Sequence, residues 1–288
     1  MSKPCSDSVA LGLWHPLAAL EDITPDVVNR TGLLGETILY RRELDQTVTV
    51  WPAEQPERSL PVTIAYGYIW TCLGTPEKPL FDLPEHAEPD RRNVCAATVG
   101  VRVSGPRAVE NFLDMGHFPY VHTNILGVEP HTEVREYDVR IDEERDEIVA
   151  TDCLFYQPQA AAGSSAGALT DYIYRVPHPY CAVLYKSCPA DEKRLDVIAL
   201  FLQCVDEETV RAHALVSVLD TSSTDLDIRM FQQTIFAQDK PILENQFPRK
   251  LPLDPRAETP IRADKSAIVY RRWLRTKGLQ YGVIPAAA

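Results

Sequence analysis

The chain has 288 residues, 45% of them hydrophobic, enough to bury a large core in one main domain with a small appendage. Its formal net charge of −12 disfavours a nucleic-acid surface, which carries a clustered basic footprint. Without a run of eighteen apolar residues or an apolar signal region at its start, it is expected neither to span a membrane nor to be secreted, which leaves the cytoplasm.

In chain order, residues 33–50 alternate well enough for two short strands, and Glu77–Arg92 is Pro-rich, acidic and expected to be irregular. A helix is predicted over 106–116, with Pro106 in its first turn. Tyr137, Val139 and Ile141 alternate with Asp138 and Arg140, an acidic turn spans Asp142–Glu147, and Ile148–Tyr156 returns as the second strand of a hairpin. Further strands are predicted near 172–176, 180–187, 195–204 and 210–219, the last two joined by the turn Asp206–Thr209. A helix over Asp225–Gln246 comes next. Hairpins followed by helices indicate an α+β fold, an antiparallel β-sheet with packed helices.

The small-residue segment Gln157–Leu169 is expected to be a long loop, read either as a lid or as a hairpin tip. The seven cysteines fit reduced thiols, with Cys72, Cys153 and Cys204 as small core residues. The basic cluster Arg271-Arg272-Trp-Leu-Arg275-Thr-Lys277 on a C-terminal helix reads as a solvated face or as partners for acidic neighbours, with docking of another protein as the alternative.

The richest chemistry lies in Asn111-Phe-Leu-Asp114-Met-Gly-His117-Phe-Pro-Tyr-Val-His122. Helical residues advance about 100° each, so histidines five apart point roughly 140° away from each other on a regular helix. Pro119 between them should end the helix near Gly116–Phe118 and let His122 turn back toward His117. Asp114, three residues before His117, lies about 60° round the same helix and can orient that imidazole. Asn111 and Asp114 interrupt the apolar Val109, Phe112, Leu113 and Met115, and buried polar groups need partners. The segment Gln238–Gln246 can add the carboxylate of a two-histidine, one-carboxylate iron site. Alone, the histidine pair is a weak signal, since most histidines in a chain of this size are surface residues or satisfied core groups. A rival H-x-E pattern occurs at His86-x-Glu88 and His131-x-Glu133, with His178 or His213 as the distant third member.

The pattern N-x2-D-x2-H-x4-H followed by Q-D-K-x3-E-x-Q resembles the catalytic domain of Rieske-type non-haem iron oxygenases. Trp14–Asp22, Leu34–Arg41, Gly67–Gly74 and Ile261–Leu274 are also similar to segments of that family, so the resemblance covers most of the chain. It implies a helix-grip, START-like fold with a small N-terminal β remnant. It also implies one Fe(II) held by His117, His122 and Asp239, with Asp114 bridging toward an electron donor and Asn111 nearby as catalytic candidates. Ile235, Ile242 and Leu243 are expected to share the face of Asp239, and Pro241 to break the helix locally. Asp239 as a plain surface charge beside Lys240 is the alternative.

One departure is large. A Rieske cluster needs C-x-H and C-x2-H pairs, and no cysteine here has a histidine two or three places downstream. Between Thr49 and Pro61 stands only a short polar stretch. The expectation is therefore a truncated N-terminal β segment over 1–60 without a [2Fe-2S] centre and a mononuclear iron domain over 61–288. The combination resembles the methylxanthine N-demethylases whose Rieske domain is carried by a partner reductase. That implies oxidative removal of an N-methyl group, N7 of a methylxanthine, with O2 and electrons from NAD(P)H through a Rieske-containing reductase, in a hetero-oligomeric system. The alternatives are a demethylase or hydroxylase of another small aromatic, and a non-catalytic ligand-binding subunit of the same fold. Gln233, Gln238 and Gln246 are loose candidates for substrate contact.

Overall fold

The computed structural model describes residues 3–159, 161–162 and 167–286. The N-terminal part comprises α1 (Ser8–Leu11), β1 (His15–Ala19), β2 (Asn29–Leu33), β3 (Glu36–Arg42), β4 (Val48–Pro52), β5 (Val62–Ala65) and β6 (Tyr68–Thr71). Then come β7 (Arg92–Val101), α2 (Gly105–Leu113), α3 (Phe118–Val121), β8 (Asp138–Asp142), β9 (Glu147–Gln157), β10 (Ala168–His178), β11 (Cys181–Cys188), β12 (Asp191–Asp206) and β13 (Thr209–Val218). Two long helices come after the sheet, α4 (Asp225–Asn245) and α5 (Lys265–Lys277).

Strands β7 to β13 form one antiparallel sheet in the order β7-β13-β12-β11-β10-β9-β8. The expected α+β arrangement is thus the observed one. The apolar run in β12 reads continuously because both of its faces are covered. Val197, Ala199 and Phe201 pack on Tyr68 and Trp70 of the small sheet β1-β6-β5. Ile198, Leu200, Leu202 and Cys204 pack on the other face with Ala108, Val109, Tyr270 and Leu274 from α2 and α5. The helices, and the cavity beneath them, therefore occupy the even-numbered side of β12.

The two strands expected over 33–50 are β3 and β4, which β2 joins in the sheet β2-β3-β4. Strand β1 pairs with β6, and Gln203 Nε2 of β12 donates to Gly32 O at 2.8 Å, so the first sixty residues are knitted to the rest of the chain. Other local expectations need correction. Helix α2 ends at Leu113 and not near 116, because Asp114 turns extended (φ −83°, ψ 123°) and its Oδ1 accepts from Gly116 N at 2.7 Å. Pro119 opens the next turn, α3, instead of closing the first helix. Pro241 does not break α4. The proline costs one backbone bond to Ala237, but Lys240 Nζ donates to Gly100 O, and Glu244 Oε1 accepts from Arg102 N at 3.1 Å, so β7 grips the helix on both sides of it. Gln157 and Leu169 belong to strands β9 and β10, and half of the loop between them, residues 160 and 163–166, lies outside the described residues, so the expected lid falls partly outside them.

Two of the four basic residues of the cluster on α5 are paired with acidic neighbours, and Arg272 and Arg275 are exposed. Arg271 is buried and binds Glu110 at 2.6 and 2.9 Å and also Glu258, which Arg107 shares, while Lys277 pairs with Asp146. All seven cysteines are free thiols. Among the described residues no helix is long and apolar enough to cross a membrane.

Three imidazoles are sealed into this core and kept neutral by it. Burial lowers His15 to about 4, lowers His213 to about 3 with a further push from Arg211, and holds His178 well below its ordinary value. A group whose folded pKa is depressed supports the fold above its unfolded value of about 6.5, and that support is lost as pH falls toward the folded values. The unfolding midpoint is therefore expected to fall between pH 7 and 4. In His213→Gln, which keeps an amide toward Thr98 and Gln203, that fall should be shallower in thermal melts, and a parallel profile would contradict the assignment.

Candidate metal centre

The metal-centre geometry starts from the turn after α2. Asp114 leaves the helix, Gly116 closes the tight turn, and α3 carries the chain round so that both imidazoles face one point. His117 Nε2 and His122 Nε2 are 3.1 Å apart. From α4, Asp239 Oδ1 stands 3.3 Å from the first and 3.1 Å from the second. Among the described residues, this is the one group of three histidine, cysteine or carboxylate donors that can meet a single ion.

Each imidazole is aimed from behind. His117 Nδ1 lies 3.0 Å from Asp114 Oδ2, and His122 Nδ1 lies 2.9 Å from Gln238 Oε1. With the Nδ1 protons directed at those acceptors, both Nε2 atoms face the centre, where a metal ion would take their lone pairs in place of a proton. Burial disfavours a charged His117, but the carboxylates of Asp114 and Asp239 outweigh it and raise the group to about 9. Burial would likewise raise Asp239, and the two imidazoles overcome it to hold the carboxyl below its usual range.

These residues fit a metal ion. With bonds of about 2.1 Å at right angles, neighbouring ligand atoms lie about 3.0 Å apart, close to the 3.1–3.3 Å edges of this triangle. Asp239 Oδ1 is buried and has no partner in hydrogen-bonding geometry, which is the position of a ligand atom and not of a satisfied carboxylate. The plain reading of Asp239 as surface charge fails, since Lys240 turns away to Gly100 and Glu244.

The triangle forms one wall of a cavity between α2, α4 and the even-numbered side of the sheet. Asn111 lines it from the last turn of α2. Ile235 and Leu243 are buried against it as expected, whereas Ile242 is 49% exposed on the outer side of α4. The three glutamines do not contact the cavity as anticipated. Gln233 Nε2 donates to Ala96 O at 2.8 Å, Gln238 holds His122, and Gln246 caps α4 beside an outer depression. Gln232, one residue away from the first candidate, lines the cavity instead, as do Tyr172, Tyr174 and Lys186 from the sheet. Lys186 was visible as a charge inside the apolar run Cys181–Cys188; the tyrosines carried no such signal.

The rival histidine patterns do not assemble. His86 packs edge-on against Tyr66, Glu88 binds Arg91 and Arg194, His131 lies on Tyr156, and His178 and His213 are committed to core hydrogen bonds.

Residues 101–278 match the family of the vanillate O-demethylase oxygenase C-terminal domain. The chain is 45% identical over 276 residues, 96% of its own length and 97% of the other's, to a probable methylxanthine N7-demethylase, NdmC, of Pseudomonas sp. (strain TJI-51). Its fold superposes on that of NdmA of Pseudomonas putida CBB5 with caffeine, with a TM-score of 0.74 at 19% identity over 93% of this chain and 90% of that one. Dicamba monooxygenase bound to dicamba gives a TM-score of 0.74 at 17% identity over 94% of this chain and 98% of that one. By sequence and by fold, the chain belongs to the Rieske-type non-haem iron oxygenases, in the family of the vanillate O-demethylase oxygenase C-terminal domain.

Proposed function

We propose that this chain is the oxygenase component of a multicomponent N-demethylase that removes the N7-methyl group of a methylxanthine. The supporting observation is the triangle of His117, His122 and Asp239 at the wall of an enclosed, mostly apolar cavity, in a chain 45% identical over nearly its whole length to a probable methylxanthine N7-demethylase. Those three residues would hold one Fe(II), with Asp114 and Asn111 as the supporting polar groups. Bound there, iron(II) supplies the electron-transfer chemistry that allows O2 to react with an unactivated methyl group.

The chain's own residues set the conditions for that reaction. Asp114 and Gln238 fix the two imidazoles, and Ile235, Phe236 and Leu243 exclude water and give a planar ring an apolar bed. The reaction balances as N–CH3 plus O2, two electrons and two protons giving N–CH2OH and water, after which N–CH2OH releases formaldehyde and leaves N–H. The electrons come from NAD(P)H through a separate Rieske-bearing reductase, because the sequence lacks the C-x-H and C-x2-H pairs of a Rieske centre. Asp114, 34% exposed and bonded to His117, would stand between that donor and the metal site. The working place of such a system is the cytoplasm, where NAD(P)H is available.

The test is anaerobic loading with Fe(II), then 7-methylxanthine, O2, NAD(P)H and a Rieske-bearing reductase. Formaldehyde and xanthine in equal amounts are expected. Iron without product from any methylxanthine would redirect the search to other small N- or O-methyl aromatics.

A further inference from the structure

The cavity beside the triangle is walled mainly by Phe112, Leu184, Ile198, Leu200 and Phe236, yet Tyr172, Tyr174 and Lys186 bring polar groups to it from the sheet. Tyr174 on β10 is 2% exposed, and its buried hydroxyl has no hydrogen-bond partner. Lys186 on β11 is 5% exposed, with its ammonium 3.4 Å from Gln157 Oε1. Tyr172 pairs directly with Lys186, and Tyr174 with Leu184, so Tyr174 and Lys186 are diagonal neighbours on one face of adjacent strands. Aromatic rings connect them to the triangle: Phe118 has its centroid 6.0 Å from that of His122 and 6.3 Å from that of Tyr172, and Phe112 lies 6.2 Å from Tyr174.

An orphaned hydroxyl inside an apolar wall is destabilising, and where it faces a cavity a bound molecule can supply its partner. Tyr174 and Lys186 are both donors. Burial lowers Lys186 to about 8, with Asp196 opposing that shift, so the amine stays largely protonated at neutral pH. The complement of a phenol and an ammonium about one diagonal apart is a rigid ring bearing acceptor oxygens.

We propose that Tyr174 and Lys186 are specificity-determining donors that hold ring carbonyl oxygens of a dioxopurine on the sheet side of the cavity, leaving its N-methyl edge toward His117, His122 and Asp239. The inference rests on the methylxanthine reading and deepens it. A site built to hydrogen-bond a ring oxygen rejects the analogue that lacks it, because the buried polar groups facing that oxygen lose its bonds.

Equilibrium dialysis of the full chain with 7-methylxanthine and with 7-methylpurine, which has the same ring without carbonyls, separates the possibilities. Tyr174→Phe removes only the orphaned oxygen and is expected to fold like the wild type; Lys186→Met is the second probe. Each should weaken 7-methylxanthine by roughly tenfold and leave 7-methylpurine unchanged. Equal binding of 7-methylxanthine by wild type and Tyr174→Phe, or an equal loss of both ligands, overturns the role of the two donors alone. A wild-type chain that binds no 7-methylxanthine overturns the substrate reading and this inference together.

Discussion

Asp239→Ala is expected to leave the chain folded but unable to retain iron. The carboxylate is the one negatively charged member of the triangle, and its Oδ1 has no other partner to lose. Groups that merely support a metal ligand change affinity by roughly ten- to a hundredfold, so loss of a ligand should exceed that range. Helix α4 should survive, because Thr224 and Asp227 cap its start reciprocally and Gln233, Lys240 and Glu244 tie it to β7. After anaerobic loading, iron and acid-labile sulfide would be measured in both proteins. The expectation is about one iron without sulfide in the wild type, almost none in the variant, and no product from the variant. Equal iron in the two would remove Asp239 from the ligand set, and no iron in either would favour a ligand-binding subunit without catalysis.

Much of this site can be read from the residues. Two histidines with a proline between them, and polar Asn111 and Asp114 among apolar neighbours, mark a turn that has to present its imidazoles to something. The structure brings His117, His122 and Asp239 together although the carboxylate lies 117 positions after the second histidine (239 − 122). The hairpins were legible because period-two alternation and acidic turns are local signals; β8 with β9 and β12 with β13 form where those signals place them. Strand β7 had no such signature. Its Arg-Asn-Val-Cys-Ala-Ala-Thr-Val-Gly-Val run becomes a strand by pairing with β13, more than a hundred residues downstream.

The misjudged details share one physical cause, a contact made by an element distant in sequence or by a side chain acting on the backbone. Pro119 was the obvious breaker, but the Asp114 carboxylate, by capturing Gly116 N, ends α2 first. Pro241 was the obvious kink, but β7 clamps α4 on either side of it. Gln238 was a loose candidate for substrate contact, whereas the helix turns it behind His122. Tyr174 and Lys186 became visible as cavity groups only once β10 and β11 were in register. Local pattern fixes which face of an element is apolar; it does not say which polar side chain on that face meets a cavity.

Asp114→Asn should separate holding the metal from feeding it electrons. In the wild type one carboxylate oxygen accepts from Gly116 N at 2.7 Å and the other lies 3.0 Å from His117 Nδ1. An amide retains one acceptor oxygen and puts an N–H₂ where the second was, so either the turn or the imidazole keeps its partner, but the negative charge is gone. His117 would still be carried by the turn and by α3, and the triangle with His122 and Asp239 would persist, so iron should remain near the wild-type level. Asp114 also lines an outer depression with Asn245, Gln246 and Ile242, which the proposed electron donor would reach. Turnover driven by the reductase is therefore expected to fall by roughly ten- to a hundredfold with KM for the methylxanthine little changed, since Asp114 is not among the cavity-lining residues. Unchanged turnover would remove the relay role from Asp114. Loss of iron in parallel with turnover would instead make Asp114 a structural brace for His117, its two hydrogen bonds serving the turn and the ligand and nothing beyond them.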